Sequence, residues 1–230
     1  MLQTLLAGLI FVGAHLGISS TRLRQRLVDA VGERAYQGIF SVVALLTIIL
    51  LIRTYGDAPR YEYLWLPDPR LYWVPKILMA VAFISMIGGF MVKNPTAIGM
   101  EGVLEDPDQR EHAATGLLRI TRHPFQWSVV LWSASHIVAN GDTVSVVFFA
   151  SFGVLSLLGT FAIDRKKAAA LGDRWEPFAA VTSNLPFAAV LSGRNRLVLK
   201  ELLGPVVVGL LVYALVFWWH QWVSGGVRLL

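Results

Sequence analysis

The sequence predicts an all-α fold, a polytopic bundle of about six transmembrane helices. Three observations carry that prediction. Of 230 residues, 55% are hydrophobic and only 15% are charged, against about 25% charged in an ordinary soluble domain. The mean hydropathy is +0.58. The apolar residues gather in runs of roughly 20, the length that crosses a bilayer core. A soluble globule could not hide that much apolar surface. The composition excludes a cytosolic globule, a disordered chain and a disulfide scaffold. There is no cysteine, so thiolate nucleophiles and zinc–thiolate sites are excluded as well.

The spans read in order as 2–20, 36–54, 71–92, 124–140, 143–163 and 204–223. The fourth is short. Only Gly141 and Asp142 separate it from the fifth, so the two form a tight antiparallel hairpin. Segment 168–196 mixes charge with Trp175, Phe178, Leu185 and Phe187 and reads as interfacial or re-entrant. The whole chain, 1–230, reads as a single transmembrane domain.

Basic residues orient the bundle. Arg22, Arg24, Arg26 and Arg34 lie in loop one; Lys93, Arg110, Arg119 and Arg122 in loop three. Arg165, Lys166, Lys167, Arg174, Arg194, Arg196 and Lys200 lie in loop five. Only Arg53, Arg60, Arg70, Lys76 and Arg228 remain for the other side. The positive-inside rule places loops 21–35, 93–123 and 164–203 in the cytoplasm and both termini outside, in a cell inner membrane. The first span lacks a basic flank and makes a poor cleavable signal. Tyr61, Tyr63, Trp65, Tyr72 and Trp73, with Trp218, Trp219 and Trp222, suit an outer interfacial belt. The net charge of +5 needs no nucleic-acid partner, because topology accounts for its placement. The expected partners are lipid and a hydrophobic small molecule; the oligomeric state is open.

Ionisable groups within spans are costly and mark function by default. His15 and His136 are the clearest. The helical neighbours of His15 are Gly8, Phe11, Val12, Ile18 and Ser19; those of His136 are Val129, Trp132, Ser133, Ala139 and Asn140. A lone histidine would read as a structural hydrogen-bonding residue. Two in one small bundle point to a cofactor, because imidazole is an axial haem ligand and bundle interiors hold cofactors. Gly13 and Gly17 lie about 200° around the first helix from His15 and read as a helix-packing surface.

A second constellation is Arg119-Ile120-Thr121-Arg122-His123-Pro124-Phe125. Pro124 suits a first helical position. Arg122 and His123 then sit at a helix N-terminus on the cytoplasmic surface, suited to an anion or equally to a basic membrane anchor. A third is Asp164-Arg165-Lys166-Lys167, just past the fifth span, followed by Trp175-Glu176-Pro177-Phe178. Asp164 has Arg122 or Arg165 as its expected partner. No pair of carboxylates and no glycine-rich phosphate loop stands out.

On segments 13–45, 115–142 and 164–194 the sequence resembles the NnrU-domain proteins, a family that includes zeta-carotene isomerase of plants and cyanobacteria. The resemblance implies haem b held by transmembrane histidines, here His15 and His136, with His123 the histidine of the Arg-His-Pro element. It implies either isomerisation of an apolar substrate or nitric-oxide-linked redox chemistry. The isomerase branch carries a cysteine three residues before its second ligand; this chain has Ser133, so alternate thiolate ligation does not carry over. A weaker resemblance, on Arg122, His123 and Pro124 with Trp175, Glu176 and Phe178, is to isoprenylcysteine methyltransferase-type membrane enzymes. It implies S-adenosylmethionine in place of haem. A non-catalytic accessory role is the third reading. At ~1.5 Å of rise per residue, His15 and His136 differ in depth by about 10 Å. His123, taken at the surface, differs from His15 by as much, so depth leaves the partner of His15 open between them.

Overall fold

The computed structural model describes residues 1–97, 99–106, 108–109 and 113–223. Arg110, His112 and Arg228 lie outside them. Among the described residues there is no strand, only one isolated bridge, Tyr63 to Asp142.

The helices are α1 Leu2–Ser19, α2 Arg22–Val31, α3 Glu33–Asp57, α4 Trp73–Phe90, α5 Pro124–Asn140 and α6 Thr143–Leu171. Then come the short α7 Glu176–Val181 and α8 Ala188–Leu191, and finally α9 Leu199–Val223. Five segments are long and apolar enough to cross a membrane: Leu2–Ser19, Glu33–Asp57, Pro69–Phe90, Thr143–Arg174 and Leu199–His220. The expected count of six is therefore corrected to five. The remaining segment, α5, is a helix at its expected bounds, but its 17 residues rise only about 25 Å, short of a ~30 Å core. Two boundaries also move. Helix α6 continues to Leu171, so Asp164 lies inside a helix rather than past it, and α9 begins five residues early. Helix α2 forms where a loop was expected. Thr21 caps it by accepting from the Leu23 N–H at 3.1 Å, and Gly32, at φ 82°, ends it.

The chain divides into two units, 1–76 with 129–166, and 77–128 with 167–230. In the first unit α1 packs along α3, and Thr4 donates to the Thr54 carbonyl at 3.0 Å. Ala7, Phe11, Leu51, Phe148 and Phe149 form the core. Gly8 is the packing glycine of α1, because a Cβ there would strike Ser151 Oγ. Gly13 and Gly17, expected to make that contact, have nothing within 4 Å of a built Cβ; they face away from the core.

The hairpin α5–α6 is pinned at its turn. Asp142 is buried and accepts from the Ser145 N–H at 2.8 Å, capping α6. The chain 62–65 lies over the turn: Leu64 N–H donates to the Gly141 carbonyl, Thr143 N–H to the Glu62 carbonyl, and Trp65 Nε1 to the Val138 carbonyl. Gly141 has φ 73°, and a Cβ there would strike the Trp65 carbonyl, so glycine is required.

The second unit is organised on Val103, Leu104, Leu118, Leu171, Trp175 and Phe178. There α9 meets α4 closely enough that a Cβ on Gly209 would lie 2.7 Å from Ile84 Cα.

Candidate functional site: a histidine pair and a buried Arg-His-Pro element

His15 and His136 both fall in the first unit, and the fold treats them alike. In each, Nδ1 lies 2.8 Å from the carbonyl four residues earlier, Phe11 for His15 and Trp132 for His136. A carbonyl oxygen only accepts, so Nδ1 carries a proton in both rings, and in the neutral tautomer the lone pair falls on Nε2. Both rings are half-buried. The His15 ring packs 4.5 Å from Phe11 and 5.8 Å from Phe40. His136 stacks on Phe149 at 4.6 Å and lies 4.9 Å from Trp132. Phe152 joins the two sides, 5.0 Å from Phe11 and 5.5 Å from Trp132. A continuous run of aromatic rings thus links one imidazole to the other. Along α6 the His136 contact is Phe149 and the His15 side reaches Phe152, three residues farther, or roughly 4.5 Å of rise.

The donor chemistry suits haem. Two imidazoles, each oriented by a backbone carbonyl, stand in an apolar aromatic setting of the kind that haem-holding histidines use. Among the described residues no group of three His, Cys, Asp or Glu is placed to hold a bare metal ion. Ser133 lies beside it, 2% exposed, donating to the Phe149 carbonyl at 2.6 Å.

Arg122 and His123 fall in the second unit. His123, expected at the surface, has no exposed area. Two loops fold over the element. The Arg122 N–H donates to the Ser183 carbonyl at 2.9 Å, and its own carbonyl accepts from Thr96 Oγ1 at 2.9 Å and Asn94 Nδ2 at 3.3 Å. Thr121 Oγ1 accepts the His123 N–H and donates to the Asn184 carbonyl. The backbone's own hydrogen bonds thus close this segment into the fold. The half-buried Arg122 guanidinium sits 5.7 Å over the Trp175 ring and 3.4 Å from Thr182 Oγ1. Trp175 and Phe178 are core residues, while Glu176 is exposed. A cavity of about 280 Å³ in this unit, lined by Met91, Lys93, Val103 and Gln109 among others, includes none of the expected ligand-binding side chains.

One polar feature escaped the sequence reading. Glu201 takes a bidentate grip on Arg119, Nε to Oε2 at 2.7 Å and Nη2 to Oε1 at 2.9 Å, and accepts the Gly116 N–H at 2.6 Å. Those bonds hold the Arg119 guanidinium above even its ordinary range. The signal was an acid just ahead of an apolar run; the run was read as starting at Gly204, which left Glu201 in a loop.

The NnrU protein family model matches residues 3–228. The chain belongs to the NnrU family. Among curated proteins, this NnrU protein is 32% identical to the chloroplastic 15-cis-zeta-carotene isomerase of Zea mays over 197 residues, 84% of this chain and 51% of that protein. It is 31% identical to the Arabidopsis thaliana enzyme of the same name, over 82% of this chain and 50% of that protein. It therefore spans about half the length of these relatives. No solved structure matches it.

Proposed function

We propose that this NnrU protein is an integral-membrane isomerase of carbon–carbon double bonds in a long apolar polyene, and that His15 and His136 would hold a haem b. The observation that carries the reading is the histidine pair: two imidazoles of one unit, each with Nδ1 tied to the backbone carbonyl four residues earlier. The identity to two zeta-carotene isomerases supports the substrate class.

Cis–trans isomerisation neither adds nor removes atoms, so it asks for no carboxylate pair and no phosphate loop, and the sequence offers neither. Bound haem would supply an electron-accepting iron centre in an apolar site. The protein's own contribution is positioning. The Nδ1–H bonds to the Phe11 and Trp132 carbonyls fix each imidazole plane. Phe11, Phe149, Phe152 and Trp132 exclude water and offer faces to a conjugated chain. Ser133 is committed to the Phe149 carbonyl and serves packing, so histidine ligation should persist in both oxidation states. In the same reading loop one, with Arg22, Arg24, Arg26 and Arg34, faces the cytoplasm of an inner membrane.

The test is purification from haem-replete cells. The expected spectrum is low-spin and six-coordinate. His15→Ala or His136→Ala should give five-coordinate or haem-free protein, while His220→Ala leaves the spectrum alone. Loss of the 15-cis isomer of zeta-carotene, followed by chromatography, tests the reaction. Iron-free protein that takes up no haem in detergent overturns the cofactor; haem-loaded protein that converts no polyene overturns the substrate and leaves an accessory role. Colourless protein that binds S-adenosylmethionine would put the methyltransferase reading, centred on Arg122, in its place.

A further inference from the structure

Helix α2 is the element that the proposed chemistry does not use. It joins two membrane-length helices, α1 and α3, through the short links at 20–21 and Gly32, and none of its residues is buried. At 100° per residue, Leu23, Leu27, Val28, Ala30 and Val31 share one side, and Arg22, Gln25, Arg26 and Asp29 share the other. Leu23 and Val31 are 42% and 46% exposed, a cost in water. Arg24 is the exception to the pattern, and it is spoken for. It donates to Glu33 at 2.6 Å and lies 5.3 Å over the Tyr36 ring, which ties α2 to the start of α3. Arg22 and Arg26 are exposed. At the same end of the unit, Arg165 donates to the Ser20 carbonyl at 3.1 Å, adding positive charge beside the C-terminal end of α1. Arg34, the first basic residue of α3 after the link, is exposed as well.

We propose that α2 lies in the membrane interface and forms, with Arg165, a binding surface for anionic lipid headgroups. Its apolar side enters the acyl boundary, and Arg22 and Arg26 meet the phosphates. The charge pattern selects this occupant. Three of its ten residues are arginine against one acid, Asp29, with an apolar stripe opposite, as in helices that rest on anionic bilayers. Covalent attachment to two membrane-length helices holds it at that depth.

Because the chain has no cysteine, single-cysteine labelling reads the surface directly. Leu23→Cys and Gln25→Cys are labelled with an environment-sensitive fluorophore in the full-length protein, reconstituted in phosphatidylcholine vesicles with and without phosphatidylglycerol. The label at 23 should shift to the blue and be quenched by lipids carrying a quencher in the acyl chain; the label at 25 should not. Phosphatidylglycerol should be enriched among co-purified lipids. Arg22→Gln with Arg26→Gln should lower that preference, about five-fold for each charge removed, whereas the double lysine variant keeps it. Equal water exposure at 23 and 25 overturns the proposal. So does a shift at 23 that grows with protein concentration in detergent, which would mark a second copy as the occupant. Unchanged lipid preference in the glutamine variant, with the protein still monodisperse, overturns the headgroup part.

Discussion

Substituting Gly153 by alanine perturbs the wall on which His136 rests. A Cβ at 153 would lie 2.6 Å from Ser133 Oγ and 3.1 Å from Ser133 Cβ, inside normal contact. Ser133 cannot yield without loss, because it is buried and donates to the Phe149 carbonyl at 2.6 Å. If the hydroxyl rotates away, the hydrogen bond is lost, at about 1 kcal/mol. If α5 and α6 part instead, overpacking costs about 1–3 kcal/mol. Alanine recovers up to about 1 kcal/mol of helix propensity. The net expectation is destabilisation of about 0–2 kcal/mol, short of the gain that an unopposed alanine would bring. Gly13→Ala, with nothing within 4 Å, should be neutral or slightly stabilising. The assay is reversible unfolding in detergent of Gly153→Ala, Ser133→Ala, the double variant and Gly13→Ala. The double variant should be less destabilised than the sum of the singles, by about 0.5 kcal/mol or more, because each single change acts on the same contact. Since Phe149 also stacks on His136, Gly153→Ala should broaden any ligand spectrum of that histidine. Gly153→Ala behaving like Gly13→Ala, with additive singles, would refute the packing argument.

Other changes have equally definite outcomes. Gly141→Ala forces a side chain to φ 73° and against the Trp65 carbonyl; strain and the lost bonds of the 62–65 chain should cost about 2–4 kcal/mol, seen in unfolding and in faster proteolysis between Ala58 and Pro69. Glu201→Gln removes the charge that Arg119 grips and should cost about 1–2 kcal/mol, the pair being largely but not fully buried; Asp106→Asn, whose half-buried carboxylate is lowered chiefly by the Gln109 hydrogen bond, should change stability little in the same assay. Reporters fused at Met1 and after Leu230 should report opposite sides of the membrane, as five crossings require; both on one side would mean that α5 crosses as well.

What was legible in the sequence follows the physics of each signal. Long apolar runs are self-announcing, and α1, α3, α4 and α6 lie within a few residues of their expected positions, apart from the extension of α6 to Leu171. Helix α2 was missed because its ten residues are too polar for a span and were read only as positive charge, although Thr21, the 100° pattern and Gly32 marked both its ends. The depth of His123 was not legible at all. Proline at a helix start predicts a terminus, and a terminus is usually wet; here Asn94, Thr96, Ser183 and Asn184 close over it, and such loop wrapping has no periodicity to read.

Ser133 shows how the two kinds of evidence divide. Sequence resemblance marks it as a position where relatives of the isomerase branch place a sulfur, which makes it look like a site residue. The structure gives its hydroxyl a carbonyl partner on α6 and a glycine opposite, a contact that draws α5 against α6. A serine there strengthens the hairpin through a short hydrogen bond that a thiol would make only weakly. Ser133 therefore steadies the helix that carries His136, and the Gly153 and Ser133 variants measure that contribution directly.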